Sequence, residues 1–211
     1  MISANHRRSG MILLTAGLLT AGLLFAALPQ AFGAEMADED VTGAAMNQLR
    51  VSWVDYVAPP VQLLRENGRA VSLPTELDDG RAVVMNFIYT TCETTCPLSS
   101  ATFAQFQARL GAKREHVHLV SISTDPEQDT PAELRAYARK FNAGPEWQFY
   151  TGTVQASITA QQAFGAYRGD KMSHTPLVLM RAAPGKPWLR IDGFVTPDQL
   201  LHHYRDLLTA R

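Results

Sequence analysis

The period of the apolar positions changes several times along the chain, and each change marks an element. Residues 82 to 89, Ala-Val-Val-Met-Asn-Phe-Ile-Tyr, are a nearly unbroken apolar run. A strand buried on both faces needs such a run. From residue 97 to 110 the spacing becomes helical. Leu98, Phe103, Phe106 and Leu110 share one face, and Gly111 ends the helix. Val117 to Ser123 reads as a second buried strand. Thr130-Pro131 opens a helix, with Pro131 at its first position and Leu134, Tyr137, Ala138 and Phe141 on one stripe. A short strand at 147–150, a helix at 154–164 and two strands at 177–180 and 188–191 follow. Thr196-Pro197 opens the last helix, which carries Leu200, Leu201, Tyr204, Leu207 and Leu208. Upstream, residues 61–73 centred on Asn67-Gly68 read as a β-hairpin.

The order is a hairpin, then β-α-β-α-β-α, then β-β-α. Alternating strands and helices predict an α/β fold with a mixed central sheet flanked by helices. Two adjacent strands and a helix at the end give it a thioredoxin-like pattern, with the N-terminal β-hairpin as an extension.

Before residue 58 the chain reads differently. Arg7 and Arg8 precede an uncharged apolar run from Met11 to Leu28, and small residues, including Ala31 and Gly33, follow. This is the layout of a secretory signal, here residues 1–33. The alternative is an uncleaved anchor formed by residues 11–28, a run of about the minimum spanning length. Either places the remainder outside the cytoplasm, in the periplasm or an equivalent compartment. The Arg7-Arg8 pair lacks the flanks of a twin-arginine signal. Residues 34–57 read as a tether, rich in small residues and with Glu35, Asp38, Glu39 and Asp40 at its start. Residues 58–211 are then the folded domain. With 46% hydrophobic residues the whole chain can bury one core, and its net charge of -1 gives no basic face for nucleic acid.

The chain has two cysteines, Cys92 and Cys96, with three residues between them. So small a loop makes a weak staple. They sit between a buried strand and the start of a helix, where free N–H groups and the helix dipole stabilise a thiolate. Residues four apart in a first turn share a face, so both sulfurs can meet one ion or close a disulfide. Disulfide oxidoreductases usually have two intervening residues, so three favours a metal. Two inert buried cysteines are the bland alternative, and the polar Glu-Thr turn between them argues against it.

The segment Asn86-Phe-Ile-Tyr-Thr-Thr-Cys-Glu-Thr-Thr-Cys-Pro97 resembles the signature of the Sco/SenC copper-delivery proteins. Val120-Ser-Ile-Ser-Thr-Asp-Pro-Glu-Gln-Asp-Thr-Pro131 is similar to a second segment of that family, and His174, after Asp170, stands where its third copper ligand does. The resemblance runs from about Val61 to the C-terminus. It implies a copper site of Cys92, Cys96 and His174. The donor chemistry agrees, since thiolates select Cu(I) and imidazole suits both copper oxidation states. A structural zinc site would need a fourth ligand, and none is evident. The chain departs from the family at Glu93, where proline is common, and at Pro176. Thioredoxin-like oxidoreductases place a cis-proline at that point, opposite the cysteines.

Other candidates have simpler readings. Asp125 and Asp129 suit local hydrogen bonding around the next helix start. Asp170 is either a hydrogen-bond partner that tunes His174 or a solvated charge. Met172 is a weak thioether donor or a loop-packing residue. His116, His118, His202 and His203 read as surface or satisfied residues.

The resemblance implies a copper metallochaperone serving a respiratory copper centre of the cytochrome c oxidase type. Its partners would be a copper-accepting oxidase subunit and a copper or thiol donor. The alternative is an enzyme, an extracytoplasmic thiol-disulfide reductase of a copper-accepting protein, with Cys92 attacking and Cys96 resolving. A third reading, a thiol peroxidase, rests only on Thr94 to Pro97 and lacks an identifiable partner arginine.

Overall fold

The computed structural model describes residues 49–209. The signal segment, the 11–28 run and most of the tether lie outside the described residues. In chain order the elements are β1 (Arg50–Val54), β2 (Gln62–Arg65), β3 (Ala70–Ser72), α1 (Leu73–Leu77), β4 (Ala82–Ile88) and α2 (Thr95–Leu110). Then come β5 (Val117–Ser123), α3 (Pro131–Lys140), β6 (Trp147–Gly152), α4 (Val154–Ala163), β7 (Leu177–Arg181), β8 (Trp188–Asp192) and α5 (Pro197–Thr209). Short 3₁₀ segments occupy Gly111–His116 and Lys171–Ser173.

The strands form one mixed sheet in the order β1-β8-β7-β4-β5-β6-β2-β3. β4, β5 and β6 run parallel, and β7 lies antiparallel to β4 on its other side. All seven residues of β4 are buried because helices cover both faces. Val84 and Ile88 face Phe103 and Phe106 of α2, Leu134 of α3 and Leu200 of α5. Val83, Met85 and Phe87 face Leu73 and Leu77 of α1 and Ala156 and Ala160 of α4. Asn86 interrupts the apolar run and is also buried. It accepts a bond from Ser121 Oγ at 2.7 Å, and Trp147 Nε1 donates to that Oγ at 3.0 Å.

The helix starts follow local chemistry. Thr130 caps α3 by accepting from the Glu133 N–H at 3.3 Å, and Pro131 at the first position is preset for the helix. At α5, Thr196 Oγ1 accepts from Gln199 N and Gln199 Oε1 accepts from Thr196 N, a reciprocal capping box. α2 ends at Gly111, whose φ of 55° suits a residue without Cβ.

Two parts of the sequence reading change. The expected tether contains β1, which pairs antiparallel with β8 from Arg50↔Asp192 to Val54↔Trp188. The hairpin of β2 and β3 forms as expected, but Leu73 belongs to α1, which begins where β3 ends and has Pro74 in its first turn.

The topology explains where a site can form. β4 and β5 end at the same sheet edge, and the antiparallel β7 begins there. The cysteine turn, the loop after β5 and the loop before β7 therefore meet at one edge.

Candidate functional site

The turn from Tyr89 to Thr95 is fixed from below by Asp129. This carboxylate is fully buried. It accepts from the Thr90 N–H at 3.1 Å, from Thr90 Oγ1 at 2.5 Å and from Ser123 Oγ at 2.5 Å. Burial raises its pKa, against the opposing pull of the Ser123 and Thr90 hydrogen bonds. The sequence places Asp129 at the helix start, but Thr130 is the cap, and the Asp129 side chain serves the cysteine turn instead. Asp125 also differs from expectation. Its carboxylate pairs with Lys171 at 2.5 Å, while its main-chain carbonyl accepts the turn N–H groups of Gln128 and Asp129.

Thr94, the residue before α2, makes no capping bond with its side chain. The Cys92 sulfur takes that place. It accepts from the Cys96 N–H at 3.3 Å and lies 3.5 Å from Thr95 Oγ1. The first N–H groups of a helix have no partner within it, and an anion there is favoured by both hydrogen bonding and the helix dipole. Burial opposes ionisation of Cys92. The donors from Thr95, Cys96 and Thr94 outweigh it and bring the pKa down to about 6. Glu93 is exposed. Cys96 behaves oppositely: its own burial, reinforced by Cys92, pushes it up to about 12.

Both cysteines are free thiols, and both are more covered than a solvent-edge turn implies. Cys92 is 6% exposed and Cys96 2%, and both join the core layer beneath α2. The Tyr89 phenol lies against the Cys92 sulfur. Its pKa rises to about 12 through burial first and then the two cysteines.

The loop before β7 brings His174 to the same edge. Asp170 caps the 3₁₀ turn by accepting from the Met172 N–H at 2.9 Å, which gives it a backbone role and not contact with the His174 ring. Lys171 binds Asp125 and lies 5.7 Å from the Tyr89 ring centroid. The Met172 sulfur lies 3.5 Å from the Tyr89 hydroxyl. His174 Nε2 is 3.0 Å from the Phe87 carbonyl of β4. A carbonyl can only accept, so Nε2 carries a proton, and in the neutral ring Nδ1 keeps its lone pair. Burial lowers the His174 pKa against the pull of that carbonyl, which favours the neutral form. Among the described residues, no three His, Cys, Asp or Glu side chains converge closely enough to hold a metal ion. The three predicted residues thus share an edge without forming a closed ligand cluster. Pro176 accepts from the Gly193 N–H at 3.0 Å and lines a shallow recess with Phe103, Phe194 and Val195.

The remaining histidines among the described residues lie apart from this edge. His118 is fully buried against the Glu76 carbonyl at 3.0 Å and the Tyr150 hydroxyl at 3.1 Å. His116 and His202 are exposed, and His203 is half-buried. Thr90, Thr95 and Lys171 make contacts at this edge that the sequence pattern does not single out. For Thr95 a signal existed: a hydroxyl residue directly before the second cysteine, at the first position of the helix.

A central parallel β4-β5-β6 unit, a cysteine turn after β4 and a β7 antiparallel to β4 define a thioredoxin-like fold. More narrowly, the chain belongs to the SCO1/SenC family, whose model matches residues 54–209. The SCO1 protein homolog of Bacillus subtilis is 34% identical over 106 residues. That match spans 50% of this chain and 54% of the relative, about half the length of each. The solved structure of BsSco, a member of the Sco family of cytochrome c oxidase assembly proteins in which a disulfide switch has been identified, superposes with a TM-score of 0.63 at 25% identity. It covers 76% of this chain and 98% of that one. ScoI of Bradyrhizobium japonicum, solved with copper bound, gives a TM-score of 0.61 at 25% identity, over 72% of this chain and 99% of that one.

Proposed function

We propose that this protein is an extracytoplasmic copper metallochaperone that binds copper through Cys92, Cys96 and His174. It passes the ion to a copper-accepting subunit of a respiratory oxidase. The observation that carries the reading is the Cys92 sulfur at the start of α2, 3.3 Å from the Cys96 N–H and 3.5 Å from the Thr95 hydroxyl, contacts that favour its thiolate. A soft anion is present at neutral pH before any ion arrives. Cys96 lies one helical turn away, and the neutral His174 presents an unprotonated Nδ1 from the facing loop. Two thiolates and one imidazole suit Cu(I), and the imidazole also suits Cu(II). Closing the set requires the His174 loop to shift toward the cysteines. Handover then proceeds by exchange of thiolate ligands, with no change in oxidation state. Residues 1–33 act as the export signal, or residues 11–28 as an inner-membrane anchor, and residues 34–49 tether the domain that follows.

A second reading has its own support in the opposed pKa values of the two cysteines. In a thiol-disulfide reductase the Cys92 thiolate attacks one sulfur of a client disulfide and expels the other as a thiolate. Cys96 then loses its proton and attacks Cys92. This closes the internal disulfide and releases the reduced client dithiol, with two electrons passing from this protein to the client. Pro176 beside the edge suits a client-binding groove.

Copper titration of the reduced domain, with Cys92→Ser and His174→Ala as controls, tests the leading reading. Copper binding in the parent that each substitution weakens by orders of magnitude supports it. A parent that binds no copper with all three residues intact overturns it. Retained disulfide reduction in His174→Ala separates the two activities.

A further inference from the structure

We infer that Met172 is a fourth, Cu(I)-selective donor of this site, an inference that rests on the copper reading above. Packing does not explain this residue. Its side chain is 72% exposed, whereas a methionine placed to fill a core gap is buried. What it does contact is informative. The Tyr89 hydroxyl donates to its sulfur at 3.5 Å, and the same phenol lies against the Cys92 sulfur. The thioether is therefore one phenol away from the thiolate. It is also joined to His174 through a short, well-braced turn. Asp170 accepts from the Met172 N–H at 2.9 Å, the His174 N–H donates to the Lys171 carbonyl at 3.1 Å, and Lys171 is anchored on Asp125. Any movement that carries His174 toward the cysteines carries Met172 with it.

The chemistry assigns Met172 a distinct task. A thioether is soft and uncharged, so it favours Cu(I), while the imidazole on the same turn accepts either oxidation state. It needs no deprotonation to bind, and it bonds more weakly than a thiolate. An exposed donor of this kind suits the outermost position of the site, where an ion enters or leaves. As the ion arrives, the Met172 sulfur gives a lone pair to Cu(I) and the donor's own ligand departs with its electron pair. The metal stays Cu(I), and the Tyr89 hydroxyl is left to hydrogen bond elsewhere.

The test compares the parent with Met172→Leu, which keeps size and apolarity but removes the sulfur. Cu(I) affinity is read by competition with a chromophoric Cu(I) chelator, and Cu(II) affinity by direct titration. The expected result is a roughly tenfold weaker Cu(I) complex, ~1.4 kcal/mol, with Cu(II) affinity unchanged. Unchanged Cu(I) affinity, or equal losses for both ions, overturns the inference while leaving the copper reading intact. A parent that binds neither ion overturns both. Selenium absorption spectroscopy of selenomethionine-labelled, Cu(I)-loaded protein gives an independent readout. A copper neighbour present in the parent and missing in Met172→Leu is expected, and its absence from the parent overturns the inference.

Discussion

The Cys96 N–H donates to the Cys92 sulfur at 3.3 Å, so the first cysteine caps the helix that carries the second. The same contact stabilises the fold and prepares the chemistry. Its strength depends on the charge of the sulfur, because hydrogen bonds to an ionised acceptor are about twice as strong as neutral ones.

Stability should therefore follow pH. The folded protein holds Cys92 at about 6, below the ordinary thiol value of about 8.5. A depressed acid contributes stability that is fully present above its unfolded pKa and is lost as pH falls through the folded one. Chemical denaturation of the reduced protein should show stability rising between those two values. Cys92→Ser should flatten the rise.

Thr95→Val removes a hydroxyl from the thiolate while keeping the side-chain shape. Cys92 should titrate about one unit higher, as read by thiolate ultraviolet absorbance. Its alkylation near neutral pH should slow accordingly. An unchanged titration would mean that the backbone donors suffice.

Asp129→Asn places an amide where three donors converge on a buried carboxylate. One amide oxygen cannot serve all of them, and the NH₂ group faces donors. A loss of about 2–4 kcal/mol in denaturation is expected. Faster hydrogen exchange should appear in residues 89–96.

Lys171→Ala breaks a pair whose lysine end is screened by solvent, so global stability should change little. The effect should instead be local. Hydrogen exchange over residues 170–175 should accelerate, while the sheet stays protected.

His118 gives a separate acid response. Burial, and secondarily Arg81, lowers it to about 4. A histidine kept neutral by folding supports stability above its unfolded value of about 6.5. That support is lost as pH falls from there toward the folded value. His118→Gln should lose part of this acid sensitivity in thermal unfolding.

The elements most legible in the sequence are those whose pattern reports burial directly. β4 and β5 are covered on both faces and read as apolar runs, and Pro131 marks the start of α3. β1 is hidden because it is an edge strand whose Val51 and Trp53 are exposed and whose Val54 is only partly buried. No buried face imposes a period on it. α1 is too short, at five residues, to show a helical repeat. Within the site, the spacing of Cys92 and Cys96 and their place before a helix are readable. His174 stands out mainly through the family resemblance and through its place just before β7. The Asp129–Thr90 and Lys171–Asp125 contacts join residues 39 and 46 positions apart and leave no local pattern.

The sulfur that caps α2 has more lone pairs than the helix uses. The Cys96 N–H occupies one of them and leaves others for a further partner. In the copper reading proposed above, the ion would come and go while that backbone bond stays in place. The first turn of the helix would then keep the sulfur from being bare at any stage.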